Sequence, residues 1–210
     1  GKLLIVFDNI SKYYAVDLQT GELIWSKTNT NPSNSQIKVL NERIYSIDLN
    51  NILKCFSIDD GSEIWNFKSE NTFLKSTKRN SLIIKDDIVY INNSLGDISA
   101  INANDGSLIW QLPTQTSEIY ESAFSLIMSD LVSKDDNLFF SNNRNEFFSI
   151  DSGSGTINWK TNINSDLRPS FVDNFIFTVT NEGFFVVIDN DTGNLIRSTY
   201  VLKNIKKKKI

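Results

Sequence analysis

Short runs of apolar residues alternate with polar residues along the whole chain, and none keeps a helical repeat over three turns. The runs are rich in Ile, Val, Tyr or Phe and are bounded by Asn, Asp or Gly, a pattern that predicts β-strands. The predicted strands are 3–7, 13–18, 22–27, 36–40, 43–48, 52–59, 62–68, 81–85, 88–92, 97–102, 108–112, 131–134, 138–141, 147–151, 156–161, 169–172, 175–180, 184–189 and 194–200.

The strands belong to a repeat, which is marked by a glycine that recurs at spacings of 40, 45, 49 and 38 residues. All four tryptophans of the chain lie four residues after one of these glycines. The recurring residues are Gly21, Gly61, Gly106, Gly155 and Gly193, with Trp25, Trp65, Trp110 and Trp159. Four strands in a unit of about 40–45 residues are typical of the blades of a β-propeller.

The recurring segment has a physical interpretation. Its glycine falls at the turn between the third and fourth strands, where a positive φ is free of steric cost only for glycine. The tryptophan follows on the outermost strand, where its flat ring can pack against the neighbouring blade and its N–H can reach a carbonyl. Because one blade cannot bury both of its faces alone, these contacts are expected to supply much of the core. We therefore assign a structural docking role to these nine residues.

The segment resembles the tryptophan-docking motif, A-x-D-x-x-T-G-x-x-x-W, of the quinoprotein-like (PQQ-repeat) β-propellers. The stretch from Ala15 to Trp25 matches the motif at every specified position, and four further copies extend the likeness over essentially the whole chain. Ser57 and Asn102 replace the motif aspartate, and Arg197 replaces a fifth tryptophan. We expect these departures to weaken single turns and one blade contact, but not the fold. Within the superfamily, the copies most resemble those of bacterial outer-membrane assembly factors of the BamB type.

The resemblance implies an all-β fold, a β-propeller of four-stranded antiparallel blades. The strand count predicts an open partial propeller of four to five blades from a larger ring, which has eight blades by resemblance. We expect an incomplete blade at 1–27, a basic tail at 203–210, and complete blades at about 36–68, 80–113, 129–163 and 168–201. Closure into a five-bladed ring, with the tail as the missing strand, is the alternative. An open arc is expected to self-associate through its exposed faces and edges.

Charge and composition exclude several classes of function. The net charge is −4, but five lysines lie in residues 203–210, and without them 16 basic groups face 25 acidic ones. Such an acidic body is a poor candidate for nucleic-acid binding, which needs a basic face. The chain has no histidine, so it has no Ser-His-Asp or Cys-His pair and no zinc site of ordinary composition. The tail is interpreted as a solvated segment, or as a contact for an acidic lipid surface or partner.

Quinone-dependent catalysis is the main enzymatic alternative. By resemblance, those dehydrogenases stack the quinone on an aromatic floor against a disulfide of adjacent cysteines, beside a calcium and an aspartate base. Cys55 is the only cysteine and cannot form that disulfide, while the tryptophans are assigned to docking positions. Paired acids such as Asp86-Asp87 are assigned to turns, where aspartate bonds the local backbone. We therefore expect no enzymatic activity, no cofactor and no metal.

The resemblance implies a function in protein binding. The parent protein is expected to be a periplasmic, lipid-anchored scaffold at the outer membrane that helps to assemble β-barrel proteins, with the barrel assembly subunit as its partner. The alternative is a propeller that binds a small ligand or a polysaccharide, or that acts as a sensor.

One connection between blades, residues 114–129, is long and carries apolar residues of its own. Long connections of this kind are often functional. Its candidate partner contacts are Tyr120, Phe124 and Met128. The other interpretation is that these side chains fold back over the edge of a blade.

Overall fold

The computed structural model describes residues 2–69, 78–114 and 126–202, where nearly all regular structure is β-strand. In these ranges no helix is long and apolar enough to cross a membrane. The described strands are β1 (Leu3–Phe7), β2 (Lys12–Asp17), β3 (Leu23–Thr28), β4 (Lys38–Leu40), β5 (Arg43–Ile47), β6 (Ile52–Ser57), β7 (Glu63–Lys68), β8 (Leu82–Lys85), β9 (Ile88–Asn92), β10 (Ile98–Asn102), β11 (Leu108–Leu112), β12 (Val132–Lys134), β13 (Asn137–Asn142), β14 (Glu146–Asp151), β15 (Ile157–Thr161), β16 (Ser170–Val172), β17 (Phe175–Val179), β18 (Phe184–Asp189) and β19 (Leu195–Tyr200).

These strands form five antiparallel sheets, in which each strand pairs with its neighbour in sequence. The first sheet has three described strands, β1–β3, and the others have four: β4–β7, β8–β11, β12–β15 and β16–β19. We number them blades 1 to 5. The predicted all-β class with four-stranded antiparallel blades is confirmed, and every strand end lies within two residues of its predicted position.

Blades 1, 2 and 3 belong to one compact unit, Gly1–Phe124. Its core lies between blades rather than inside any one of them. Tyr13 of blade 1 packs against Ile44 and Phe56 of blade 2. The opposite face of blade 2 packs against blade 3, and this second cluster includes Tyr45, Ile47, Leu53, Cys55, Leu82, Val89, Ile91 and Ile101. Alternation along each strand sends successive side chains to opposite faces, so each middle strand serves two joints.

Blades 4 and 5 belong to a second compact unit, Ser125–Ile210, built on the same plan. Phe139 and Phe147 of blade 4 pack against Ile176, Val186 and Ile188 of blade 5. All five side chains are at most 2% exposed, as befits the centre of a core. In both units the expected burial between neighbouring blades is therefore present.

Candidate functional site

The five predicted docking glycines occupy equivalent turns between the third and fourth strands. Their φ angles lie between 72° and 76°, in the left-handed region that glycine enters without steric cost. In each turn the glycine N–H donates to the carbonyl four residues earlier, as from Gly21 to Asp17 at 2.9 Å. Each hairpin also has a register shift at the same place, a β-bulge in which the residue before the tryptophan position, such as Ile24, is the extra one.

Three of the tryptophans connect each blade to the next through a hydrogen bond. In every case the indole N–H donates to the carbonyl that lies three residues before the next docking glycine. The pairs are Trp25 to Ile58 at 2.9 Å, Trp65 to Ala103 at 3.2 Å and Trp159 to Asn190 at 3.0 Å. The fourth, Trp110, lies on β11 with its ring centroid 6.0 Å from that of Tyr90 in the same blade.

The indole ring in these joints also covers the glycine itself. A Cβ added to Gly61 would stand 2.8 Å from a carbon of Trp25, closer than real Cβ atoms approach their neighbours. The corresponding distance is 2.6 Å at Gly106, beneath Trp65, and 2.6 Å at Gly193, beneath Trp159. Glycine is therefore required twice at each joint, for its positive φ and for the close approach of the ring.

Side chains other than tryptophan strengthen the joints unequally. The Ala103 carbonyl accepts hydrogen bonds from Trp65, from the Tyr45 hydroxyl at 3.1 Å and from Arg43 Nη1 at 3.1 Å. In the joint between blades 1 and 2, the Tyr13 hydroxyl instead donates to the Gly61 carbonyl at 2.8 Å. The joint between blades 2 and 3 thus concentrates three donors on one acceptor.

An aspartate holds each docking turn, but at one of two positions. In blades 1, 4 and 5 the motif aspartate accepts the N–H three residues later, as Asp17 does from Thr20 at 2.9 Å. In blade 2, where Ser57 replaces that aspartate, Asp60 accepts the N–H of Ser62 at 3.0 Å. Asp105 of blade 3 likewise accepts the N–H of Ser107, at 2.9 Å. Asp60 thus takes the acceptor place of the Thr20 hydroxyl, which accepts the N–H of Glu22 at 3.2 Å in blade 1. The expected weakening of the turns stays a prediction.

These hydrogen bonds lower the pKa of the turn aspartates below the ordinary value. For Asp17 and Asp60 the largest cause is the backbone N–H of Thr20 and of Ser62, respectively. For the other three carboxyl groups the largest cause is a hydroxyl: that of Ser107 for Asp105, Ser154 for Asp151 and Thr192 for Asp189. Donors that bind the charged form favour ionisation, so the turns favour deprotonated aspartate.

The paired acids and the cysteine have structural surroundings. Asp86, Asp87 and Asp135 lie in turns with φ between 50° and 59°, where aspartate tolerates the left-handed conformation. Cys55 is 0% exposed in the core between blades 2 and 3, and burial raises its pKa to about 11. Such a thiol is protonated and unreactive at neutral pH. The described residues contain no cluster of acids and cysteine that could hold a metal ion.

The predicted partner contacts are placed only in part. Met128 is 6% exposed and forms an isolated β-bridge with Asn142, so this side chain lies against blade 4 and offers little surface. That burial fits the interpretation in which the connection packs over a blade edge. Tyr120 and Phe124 lie outside the described residues, as does the basic tail 203–210. Their contact role stays a prediction.

Sequence reasoning missed a cavity of about 310 Å³ in the second unit. Its lining includes Asn145, Asn162, Asn164, Glu182 and Phe184, from blades 4 and 5 and their connection. Asn164 donates to the Glu182 carboxylate and accepts from Asn181 at 3.0 Å, while the Phe184 ring is 39% exposed. Amides and acids scattered over 38 positions gave no motif that could have pointed to this site.

Comparison with known proteins gives a family match and a set of similar folds. The family model described as "Outer membrane protein assembly factor BamB" matches residues 1–199. BamB from Moraxella catarrhalis superimposes with a TM-score of 0.79 at 17% identity, covering 97% of this chain and 62% of that one. No curated protein matches the sequence. The chain thus spans less than two thirds of the length of this BamB.

Two further similar structures differ widely in what their names describe. A europium-containing methanol dehydrogenase has a TM-score of 0.75 at 14% identity, covering 99% of this chain and 52% of its own. The computationally designed protein Ika8 has a TM-score of 0.72 at 16% identity, covering 95% and 59%. At these identities the likeness shows a shared propeller-type fold and says nothing of activity.

Proposed function

The chain belongs to the PQQ-repeat propeller family described as outer membrane protein assembly factor BamB, and on that premise we propose that it is a non-catalytic, protein-binding scaffold. It forms part of a BamB-like lipoprotein in the periplasm, where it assists the assembly of β-barrel proteins into the outer membrane. The observation that carries this proposal is the family match over residues 1–199.

Three of the four tryptophans are used in the joints between blades, which is consistent with a scaffold. Trp25, Trp65 and Trp159 each donate their indole N–H to a neighbouring blade. Their rings are held over glycine turns, so they serve the joints between blades. A rigid stack of blades can present its connecting loops in fixed positions, which lowers the entropy cost of gripping a partner.

We propose that the partner is the barrel assembly subunit and that the connection 114–129 contributes contacts through Tyr120 and Phe124. Interfaces concentrate their binding energy in a few aromatic and apolar anchors. The test is a binding titration of the purified soluble domains of that subunit against the protein and its Tyr120→Ala and Phe124→Ala variants. Each anchor should cost about 1–2 kcal/mol of binding free energy with an unchanged melting temperature.

A matched control is Phe175→Ala, which removes an aromatic side chain that is 40% exposed in another blade. This variant should bind like the parent. Failure of the parent to bind the subunit would contradict the scaffold assignment. Loss of thermal stability without loss of binding would show that the two side chains pack on a blade and would move the contact surface elsewhere.

The cavity between blades 4 and 5 favours one second candidate, a saccharide-binding propeller. Amide and carboxylate groups beside an exposed aromatic ring, such as Asn164, Glu182 and Phe184, suit the hydroxyls and apolar faces of a sugar. Titration with a panel of oligosaccharides tests it, using Phe184→Ala as the variant. Saturable binding that this variant abolishes, with no affinity for the assembly subunit, would favour the second candidate.

A further inference from the structure

A lysine is buried in the joint between blades 1 and 2, and it shows what such a joint can hold. Lys54 of β6 is 7% exposed. Its Nζ donates to the side chain of Asn29, which follows the last strand of blade 1, at 2.7 Å, and lies 3.1 Å from the Glu63 carboxylate. The alkyl stem is thus buried while the ammonium has an amide oxygen and a carboxylate as partners, as a buried cation requires.

The equivalent place in the joint between blades 4 and 5 has no lysine. Lys54 pairs with the outer-strand residue that follows the docking tryptophan, and Val186 pairs with the one that follows Arg197. By the same register, Leu195 stands where blade 2 has Glu63. Val186 and Leu195 both line the cavity of about 310 Å³, and no basic residue of the described chain lines it. The space that a lysine fills in one joint is therefore open in the other.

A carboxylate lines this cavity from another position. Glu182 lies in the turn before β18, and it accepts a hydrogen bond from the Asn164 amide. A hydrogen bond with the Thr180 hydroxyl is the largest cause that lowers the pKa of Glu182, so the group is ionised at neutral pH. No ion pair between described residues neutralises it. Glu182 thus gives the cavity the negative charge that Glu63 gives to Lys54.

The remaining lining matches the stem and the head of an alkylammonium group. The Phe184 ring is 39% exposed and is held against Tyr200, with 5.1 Å between the ring centroids. Together with Val186 and Leu195 it gives the cavity an apolar wall, while Asn145 adds an amide. Aromatic faces attract cations, and amide oxygens accept hydrogen bonds from ammonium groups. The cavity therefore combines the partners that a lysine side chain needs.

We propose that the cavity between blades 4 and 5 binds a lysine side chain presented by a partner protein. The stem lies along Val186 and Phe184, and the ammonium binds the Glu182 carboxylate, much as Lys54 fills the joint between blades 1 and 2. That the lysine comes from a protein rests on the proposed scaffold function, whereas the preference of the cavity for an alkylammonium group does not.

Nuclear magnetic resonance of the ¹⁵N-labelled chain tests the site, with N-acetyl-lysine methylamide as the probe. N-acetyl-norleucine methylamide is the matched control, because it keeps the alkyl stem and lacks the ammonium. The amide signals of Gly183 and Phe184 should shift saturably at millimolar lysine probe, and the norleucine probe should bind about fivefold more weakly. Equal binding of the two probes would overturn the proposal. So would saturable binding of a neutral oligosaccharide at these residues without binding of the lysine probe.

Variants locate the charge that the lysine probe needs. Glu182→Gln should weaken binding of the probe about fivefold, and Phe184→Leu about threefold, because each removes one attraction for the cation. Asp191→Asn removes a carboxylate at the opposite end of β18 and should leave the affinity unchanged. All three side chains are exposed, so the melting temperatures should stay close to that of the parent. Unchanged affinity in Glu182→Gln would refute the site.

Competition tests the source of the lysine. Saturating lysine probe should weaken binding of the soluble domains of the barrel assembly subunit at least about threefold, and the norleucine probe should not. Subunit binding that the lysine probe leaves unchanged would overturn the protein source while the scaffold function stands. Failure of the domains to bind at all would contradict the scaffold function as well, and probe binding in the resonance experiment would still decide the site by itself.

Discussion

Glycine is required at a joint for its positive φ and for the close approach of the indole ring. Replacement of Gly106 by alanine tests both requirements, whereas replacement of Gly21 tests the positive φ alone. Both residues have φ near +75°, and an L-residue there costs about 1 kcal/mol. At Gly106 the new Cβ would also stand 2.6 Å from the ring of Trp65, whereas at Gly21 nothing described lies within 4 Å. Only the first variant must displace an indole.

The expected magnitudes follow from that difference. Overpacking a well-filled site costs about 1–3 kcal/mol, and losing a buried tryptophan entirely costs about 3–5 kcal/mol. Because the Trp65 ring is only partly buried and can tilt, we expect Gly106→Ala to lower the free energy of unfolding by about 2–4 kcal/mol. Gly21→Ala should lower it by about 1 kcal/mol, the conformational cost alone.

Urea unfolding followed by circular dichroism measures both variants, which lie in the same compact unit. The slope of the transition should be unchanged, so that midpoints compare directly. Equal destabilisation of the two variants, within about 0.5 kcal/mol, would refute the argument that ring contact sets the cost at Gly106. Gly193→Ala, beneath Trp159 in the second unit, should repeat the larger effect.

Three further predictions concern hydrogen bonds and burial. Trp25→Phe should cost about 1 kcal/mol in urea unfolding because the Ile58 carbonyl loses its described donor, whereas Trp65→Phe should cost less because two donors remain on its acceptor. Stability should fall below about pH 4. The turn aspartates have lowered pKa values in the folded state, so their ionised forms stabilise the fold above the unfolded-state pKa, and this stabilisation is lost as the pH falls through the folded-state pKa. An Asp189→Asn variant should show a shallower dependence of the urea midpoint on pH. Cys55 should react with a thiol reagent at pH 8 only after unfolding, and rapid reaction of the native chain would contradict its burial.

Much of the fold could be read from the sequence because its signals are local. Period-two alternation places strands, and the glycine needs a positive φ wherever the turn occurs, so the strand ends and the docking turns follow from short windows. The pairing of Trp25 with the neighbouring blade was predicted from its size and position. Its stacking on Gly61 was not, because that contact joins residues 36 positions apart whose proximity depends on how two sheets meet.

The candidate site shows where a position-by-position reading fails. Ser57 looked like a defect in the motif, yet its hydroxyl accepts the N–H of Asp59 at 3.2 Å and so keeps one bond of the turn. Met128 was a candidate contact on the strength of its apolar neighbours, and its burial depends on a β-bridge to Asn142 that no local pattern reveals. The cavity near Glu182 arises only when two blades meet. The last two depend on tertiary contacts, which one sequence does not encode locally.

The two positions of the turn carboxylate have a consequence for how such repeats diverge. The turns of blades 1 and 2 each have two acceptor positions, filled by Asp17 and Thr20 in one and by Ser57 and Asp60 in the other, so that the carboxylate and the hydroxyl have exchanged places. Conversion of one turn into the other takes two replacements, and neither is neutral by itself. If the first aspartate is lost first, the intermediate has no carboxylate; if the second aspartate is gained first, the intermediate has two like charges in one short loop. The two sites are therefore epistatic, and substitutions that arrive in the permissive order can accumulate without loss of the hairpin. Copies within one chain can thus drift far apart in sequence while every blade keeps its shape.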